Sequence, residues 1–235
     1  MPERGTAVDA GPGGTNSYGL VVFDCDGVLV DSELITNRVY AAMLNELGIP
    51  VTVDDMFERF VGRSMTYCWD LVSTMLGRPL PPTLIEDYRV RTTAALELEL
   101  KAVRGIEDTL NALESIRVPY CVASSGTHEK MKTTLGLTGL LPRFEGKIFS
   151  VTDVAHPKPA PDVFLLAAAA NRVAPSACCV VEDSPTGVAA GVAAGMTVYG
   201  YCALTLELRL IEAGAHHTFS DMHRLPALLF EHFPT

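Results

Sequence analysis

From about Val103 onward the sequence changes period again and again in a fixed order. Helical apolar spacing in "GIEDTLNALESI" gives way to the apolar run "PYCVAS", then to helical "THEKMKTTLG" and the run "KIFS". Helical "PDVFLLAAAAN", the run "ACCVVED", helical "TGVAAGVAAG" and the run "MTVYGY" follow. Short apolar runs without polar alternation suit strands buried on both faces, and strands separated by helices pair in parallel. The pattern therefore predicts an α/β fold, a doubly wound parallel sheet of Rossmann-like build. "YGLVVFD", from Tyr18, is an earlier run of the same kind and predicts the first strand.

Between that first strand and the alternation, from about Ser32 to Lys101, the chain reads as helix throughout. "SELITNRVYAAMLNELG", "DDMFERFVG", "MTYCWDLVSTMLG" and "TLIEDYRVRTTAALELELK" carry helical apolar spacing, with Gly48, Gly62 and Gly77 at their ends. A helical insertion at this point forms a second, smaller domain, and ligands of open α/β sheets bind outside the carboxyl ends of the strands, so the insertion would roof the site. The expected organisation is a flexible tail at 1–16, a core at 17–33 and 102–235, and a small all-helical cap at 34–101. The tail's "GPGG" is not followed by Gly-Lys-Ser/Thr and does not read as a phosphate loop.

With 48% apolar and 20% charged residues the chain has the balance of a packed globular protein. A net charge of −10 argues against nucleic acid and anionic membrane as partners, so an anionic ligand must be drawn by local cations. The six cysteines show no metal-ligand spacing and lie in apolar runs, as buried reduced thiols do. The N-terminal residues do not read as a leader and no apolar run reaches about eighteen residues, so neither export nor membrane spanning is expected and a cytoplasmic location is.

The chemistry concentrates where predicted strands end. "FDCDGVLVDSE", Phe23 to Glu33, sets Asp24 and Asp26 at the mouth of the first strand, follows them with Gly27 and adds two more carboxylates downstream. Like charges so close are costly unless a cation sits among them. "VASSG" supplies the hydroxyls of Ser124 and Ser125, "HPKPAPD" an ammonium on Lys158 between two prolines, and "VVEDSPTG" the acids Glu182 and Asp183. Acids around a hard cation, with hydroxyls, an ammonium and N–H groups beside them, make a place for a phosphoryl group. Asp24 is placed to offer oxygens to Mg²⁺ and to phosphorus, Asp26 to handle a proton, and Glu182 and Asp183 to complete an oxygen cage.

These segments resemble, in order and at strand ends, the four motifs of the haloacid dehalogenase superfamily, in its subgroup with a small helical cap after the first strand. The resemblance runs from about Tyr18 to the C-terminus. It implies Asp24 as nucleophile, Asp26 as acid/base and as metal ligand through its backbone carbonyl, Ser124 and Lys158 as phosphate binders, and Asp183 as a direct Mg²⁺ ligand, with Glu182 binding directly or through water. True dehalogenases lack an acid matching Asp26, so the implied chemistry is Mg²⁺-dependent phosphoryl transfer: a phosphatase acting on a small phosphorylated metabolite such as a sugar phosphate. Sugar phosphomutases of the β-phosphoglucomutase kind share all four motifs and are the nearest alternative. They resemble this chain less at two points: Thr36 stands where they carry a histidine, and Ser32 to Leu100 holds no lysine. A catalytically idle regulatory or binding protein is a third reading, against which the intact acid cluster weighs.

Other residues carry weaker signals. Ser125 is read either as a substrate contact or as a helix cap, and Asp31 and Ser32 as caps of the first cap helix. In "FVGRS", Gly62, Arg63 and Ser64 match the place where relatives read substrate. Trp69 is read as cap core rather than a stacking platform.

Overall fold

Leu20–Phe23 forms β1, in which every residue is buried. In the computed structural model, which describes residues 18–60 and 65–230, the chain then makes four helices in succession: α1 (Glu33–Glu46), α2 (Val53–Arg59), α3 (Met65–Leu76) and α4 (Leu84–Glu99). After them comes α5 (Ile106–Ser115), and then strands and helices alternate as β2 (Tyr120–Ser124), α6 (His128–Leu137), β3 (Ile148–Ser150), α7 (Asp162–Ala170), β4 (Cys178–Glu182), α8 (Pro185–Ala193) and β5 (Thr197–Tyr201). The chain closes with α9 (Glu207–Glu212), β6 (His217–Phe219) and α10 (Leu225–Phe230). The expected tail at 1–16 lies outside the described residues.

The strands pair in parallel in the order β3-β2-β1-β4-β5-β6. That is the doubly wound sheet the alternation predicts. Successive strand residues serve opposite faces: Val21, Phe23, Tyr120, Val122, Cys179 and Val181 join one core with α5, α6 and α10, while Leu20, Val22, Cys121, Ala123, Cys178 and Val180 join the other with α7, α8 and α9. Burial on both faces explains the unbroken apolar runs. Five cysteines are buried, Cys202 is half-buried, and all six are free thiols, as expected.

The four-helix insertion has an apolar cluster of its own. Tyr40, Leu44, Val51, Met56, Phe60, Cys68 and Val72 are buried together. Tyr40 meets Phe60, Trp69 and Tyr88 at ring-centroid distances of 5.4, 5.0 and 5.1 Å. Trp69 is thus packed in the insertion. Gly48, just past α1, has φ +85, which ends that helix at little steric cost. The chain enters and leaves the insertion side by side, since Asp31 N–H donates to Lys101 C=O at 2.9 Å and Val103 N–H to Leu29 C=O at 3.0 Å. Among the described residues no helix is long and apolar enough to cross a membrane.

Candidate active site

The sheet's strand order reverses at β1: β2 and β3 lie on one side, β4 and β5 on the other. Such a switch point opens a crevice at the carboxyl ends of the two strands that flank it. Phe23 is level with Val122 of β2 and Val181 of β4, so Asp24 leaves the sheet beside Ala123 and Glu182. Its N–H still donates to Val181 C=O at 2.9 Å, which anchors the residue although the strand has ended.

Lys158, from the loop between β3 and α7, reaches these strand ends. Its Nζ donates to Asp24 Oδ1 and Glu182 Oε1, each at 2.7 Å, and to Ala123 C=O at 3.1 Å. The side chain is 3% exposed, so three acceptors replace the water that the ammonium gives up. Burial alone would lower its pKa; the two carboxylates outweigh that and keep it charged. Glu182 Oε2 accepts from Ser184 N–H at 3.0 Å and Ser184 Oγ at 2.9 Å, so both of its oxygens are engaged within the protein. A Cβ at Gly187 would collide with this carboxylate, which accounts for glycine there. Burial, with help from Glu182 and Asp26, pushes the Asp24 carboxyl up to about 7 against the pull of Lys158.

Asp26 faces a different set of groups. Its Oδ2 accepts from Lys130 Nζ at 2.6 Å and its Oδ1 from Ser32 Oγ at 2.7 Å. Burial raises this carboxyl, but Lys130 and Ser32 prevail and hold it below the usual carboxylate value. Ser32 stands at the N-cap of α1, yet its side chain makes no capping bond, contrary to the sequence expectation. Its backbone is helical, at φ −89 and ψ −24, and a hydrogen bond to a carboxylate is stronger than one to a terminal amide.

Asp183 lies against Gly27, whose φ of +75 turns the backbone away at a point where a Cβ would strike the carboxylate. The Asp183 side chain has no hydrogen-bond or ion-pair partner among the described residues. Burial first, then Glu33, Glu182, Asp24 and Asp26, push its pKa well above the usual value. Glu33 is raised to about 7, by burial and then Asp26, and its Oε2 accepts from Asn37 Nδ2 at 3.1 Å. Oxygens of Asp24, Glu182 and Asp183 fall within 4.8 Å of one another. Among the described residues five carboxylates here thus face two ammonium groups, and the free Asp183 carboxylate adjoins the deficit. An all-oxygen donor set with excess negative charge fits a hard divalent cation such as Mg²⁺.

The structure brings Asp24, Asp26, Lys158, Glu182 and Asp183 to one edge. Ser124 is buried at the end of β2, where its Oγ accepts from Gly126 N–H at 3.0 Å. Ser125 is exposed, and the cap of α6 is Thr127, not Ser125. Gly62, Arg63 and Ser64 lie outside the described residues. The sequence motifs give no role to two members of the cluster, Lys130 and Glu33. The signal that points to them is charge balance, because one lysine cannot offset four motif acids.

A family model described as haloacid dehalogenase-like hydrolase matches residues 18–195. The 6-phosphogluconate phosphatase of Escherichia coli K12 is 36% identical over 209 residues, covering 88% of this chain and 93% of that protein. A conserved haloacid dehalogenase-like protein of unknown function from Agrobacterium tumefaciens C58 superposes with a TM-score of 0.84 at 35% identity, over 92% of this chain and 99% of that one. A HAD family hydrolase from Deinococcus radiodurans R1, solved with bound phosphate and sodium, superposes with a TM-score of 0.81 at 29% identity, over 92% and 97% of the two chains.

Proposed function

We propose that this chain, which belongs to the haloacid dehalogenase-like hydrolase family, is a Mg²⁺-dependent phosphatase of a small sugar phosphate or sugar-acid phosphate. The observation that carries the reading is the seat of Asp24. One of its oxygens is held by Lys158, the other has no partner among the described residues, and Asp183 and Glu182 stand beside it. The similarity to a 6-phosphogluconate phosphatase supports the substrate class.

In this reading the Asp24 carboxylate attacks phosphorus while Asp26, ionised beside Lys130, relays to the departing ester oxygen the proton that a phosphate monoester, with a second pKa of about 6, brings into the site, leaving phosphate on Asp24. Water then attacks the same phosphorus, Asp26 takes its proton, and Asp24 is regenerated. Lys158 lies beside the attacking carboxylate and offsets the charge of the phosphate, and the Ser124 hydroxyl at the next strand end is a donor to it. Asp24, Asp183 and the Asp26 carbonyl, with Glu182 behind them, would hold Mg²⁺, whose charge when bound lowers the repulsion between carboxylate and phosphate. The helical insertion acts as a cap over the strand ends.

The test is a screen of sugar phosphates and sugar-acid phosphates for phosphate release, with Mg²⁺ and with excess EDTA. The expected outcome is release that EDTA stops. No release from any ester, or full activity in EDTA, would overturn the reading. So would faster conversion of β-glucose 1-phosphate to glucose 6-phosphate than release of phosphate from either.

A further inference from the structure

Lys130 has no part in the mechanism above, yet it makes the closest contact to its proton carrier. It is the third residue of α6, and Thr127, the N-cap, accepts from its backbone N–H at 3.2 Å. Side chains in a first helical turn lean back toward the N-terminus, here toward the strand ends. The Lys130 stem passes Gly126, where a Cβ would sit 3.5 Å from its Cδ, and its Nζ reaches Asp26 Oδ2 at 2.6 Å. On the opposite side Ser32, the residue that opens the insertion, holds Oδ1 at 2.7 Å. Among the described residues each oxygen is therefore gripped once, from different elements, and each keeps a second lone pair for a reacting proton.

Stability does not account for this pair. The Lys130 side chain is 43% exposed, so its ammonium keeps much of its water, and an ion pair with one partner at the surface contributes on the order of 1 kcal/mol. Placement does account for it, since a reacting group displaced by about 1 Å can cost about a hundredfold in rate. We propose that Lys130 is a positioning residue for proton transfer, holding the Asp26 carboxyl where it meets the leaving oxygen, with Ser32 as the second point of attachment. The inference rests on Asp26 being the proton donor to that oxygen. Lys130 is not assigned a contact with substrate.

The need for a donor grows with the basicity of the leaving group, which supplies the test. Wild type, Lys130→Ala, Lys130→Met, which keeps the stem, and Lys130→Arg are compared on phosphate esters of alcohols or phenols graded in acidity, from whichever class the wild type hydrolyses. The parameter read is kcat/KM, which stops at departure of the leaving group. Loss in Lys130→Ala and Lys130→Met should be within about threefold for the most acidic leaving group and rise to about 10- to 100-fold for the most basic, part of what general acid catalysis supplies. Lys130→Arg should keep most of the wild-type slope, and in an Asp26→Asn background Lys130→Ala should add no further slope.

An equal loss at every ester, as a structural or phosphate-binding role would give, overturns the inference while leaving the phosphatase reading intact. Unchanged kinetics in all three variants does the same. A wild type that releases phosphate from no ester overturns the phosphatase reading, and the inference with it.

Discussion

The insertion and the sheet edge both join acids to bases at the same short distance, and the two sets of pairs do different things. On the insertion, Arg38 meets Glu99, Arg89 meets Glu86 and Arg91 meets Glu46 at 2.6 to 2.7 Å, with side chains 40% to 68% exposed. At the sheet edge Lys158 meets Asp24 and Glu182 at 2.7 Å while 3% exposed. Contact distance does not separate the two sets; water does. Exposed pairs contribute about 0 to 1 kcal/mol, whereas a buried pair carries a desolvation cost of several kcal/mol per ion and leaves an uncompensated charge if one partner is removed. A chain gains little stability from the second arrangement, so its presence at the strand ends marks chemistry rather than folding.

The largest expected effect is on turnover. Asp24→Asn removes the group proposed to attack phosphorus while nearly preserving its shape, and should lower kcat by about 10⁴-fold or more with an unchanged far-ultraviolet circular dichroism spectrum. Substantial phosphatase activity in the purified variant, with deamidation excluded by mass spectrometry, would contradict the role given to Asp24.

Next come two substitutions that set the buried and exposed pairs against each other. Lys158→Met should cost about 3 to 5 kcal/mol of unfolding free energy at pH 8. Arg38→Ala should cost under about 1 kcal/mol. Denaturant unfolding of both variants in EDTA checks the contrast, and equal losses would remove it.

A smaller effect concerns pH and metal. Burial raises Asp24 from 3.8 to about 7 and Glu33 from 4.5 to about 7 in the folded chain. Each therefore binds its proton more tightly when folded, so the stability it contributes is present at low pH and is lost as the pH rises through about 7. In EDTA the protein should melt at a lower temperature at pH 8 than at pH 6, with Asp183 adding to the trend. Mg²⁺ at a hundred times its Kd should restore about 2.7 kcal/mol at pH 8, and should restore much less in Asp183→Ala. A pH-independent melting temperature, or equal Mg²⁺ effects in the two proteins, would speak against the carboxylate cage.

Much of the fold is legible because the central strands are buried on both faces and so read as unbroken apolar runs, "LVVF" and "CCVVE" among them. The edge strand β6, with three residues and one exposed, has no such run, and the sequence reading stops before it. Asp24, Glu182 and Asp183 are legible because a polar residue closing an apolar strand has only the sheet edge to occupy. Lys130 and Glu33 lie within helices, and whether a first-turn side chain reaches the crevice depends on how the helix docks. Local pattern does not contain that. Ser32 shows the converse, since its type and place read as a cap while Asp26, folded next to it, draws its hydroxyl away.

The central claim is that phosphate passes through Asp24. The direct measurement is a rapid acid quench of the enzyme turning over a radiolabelled phosphate ester that it hydrolyses, followed by peptide mapping. Label should appear on the peptide containing Asp24, decay at a rate no slower than kcat, and be absent from Asp24→Asn. Turnover with no label on the protein, or with label on another residue, would contradict the account.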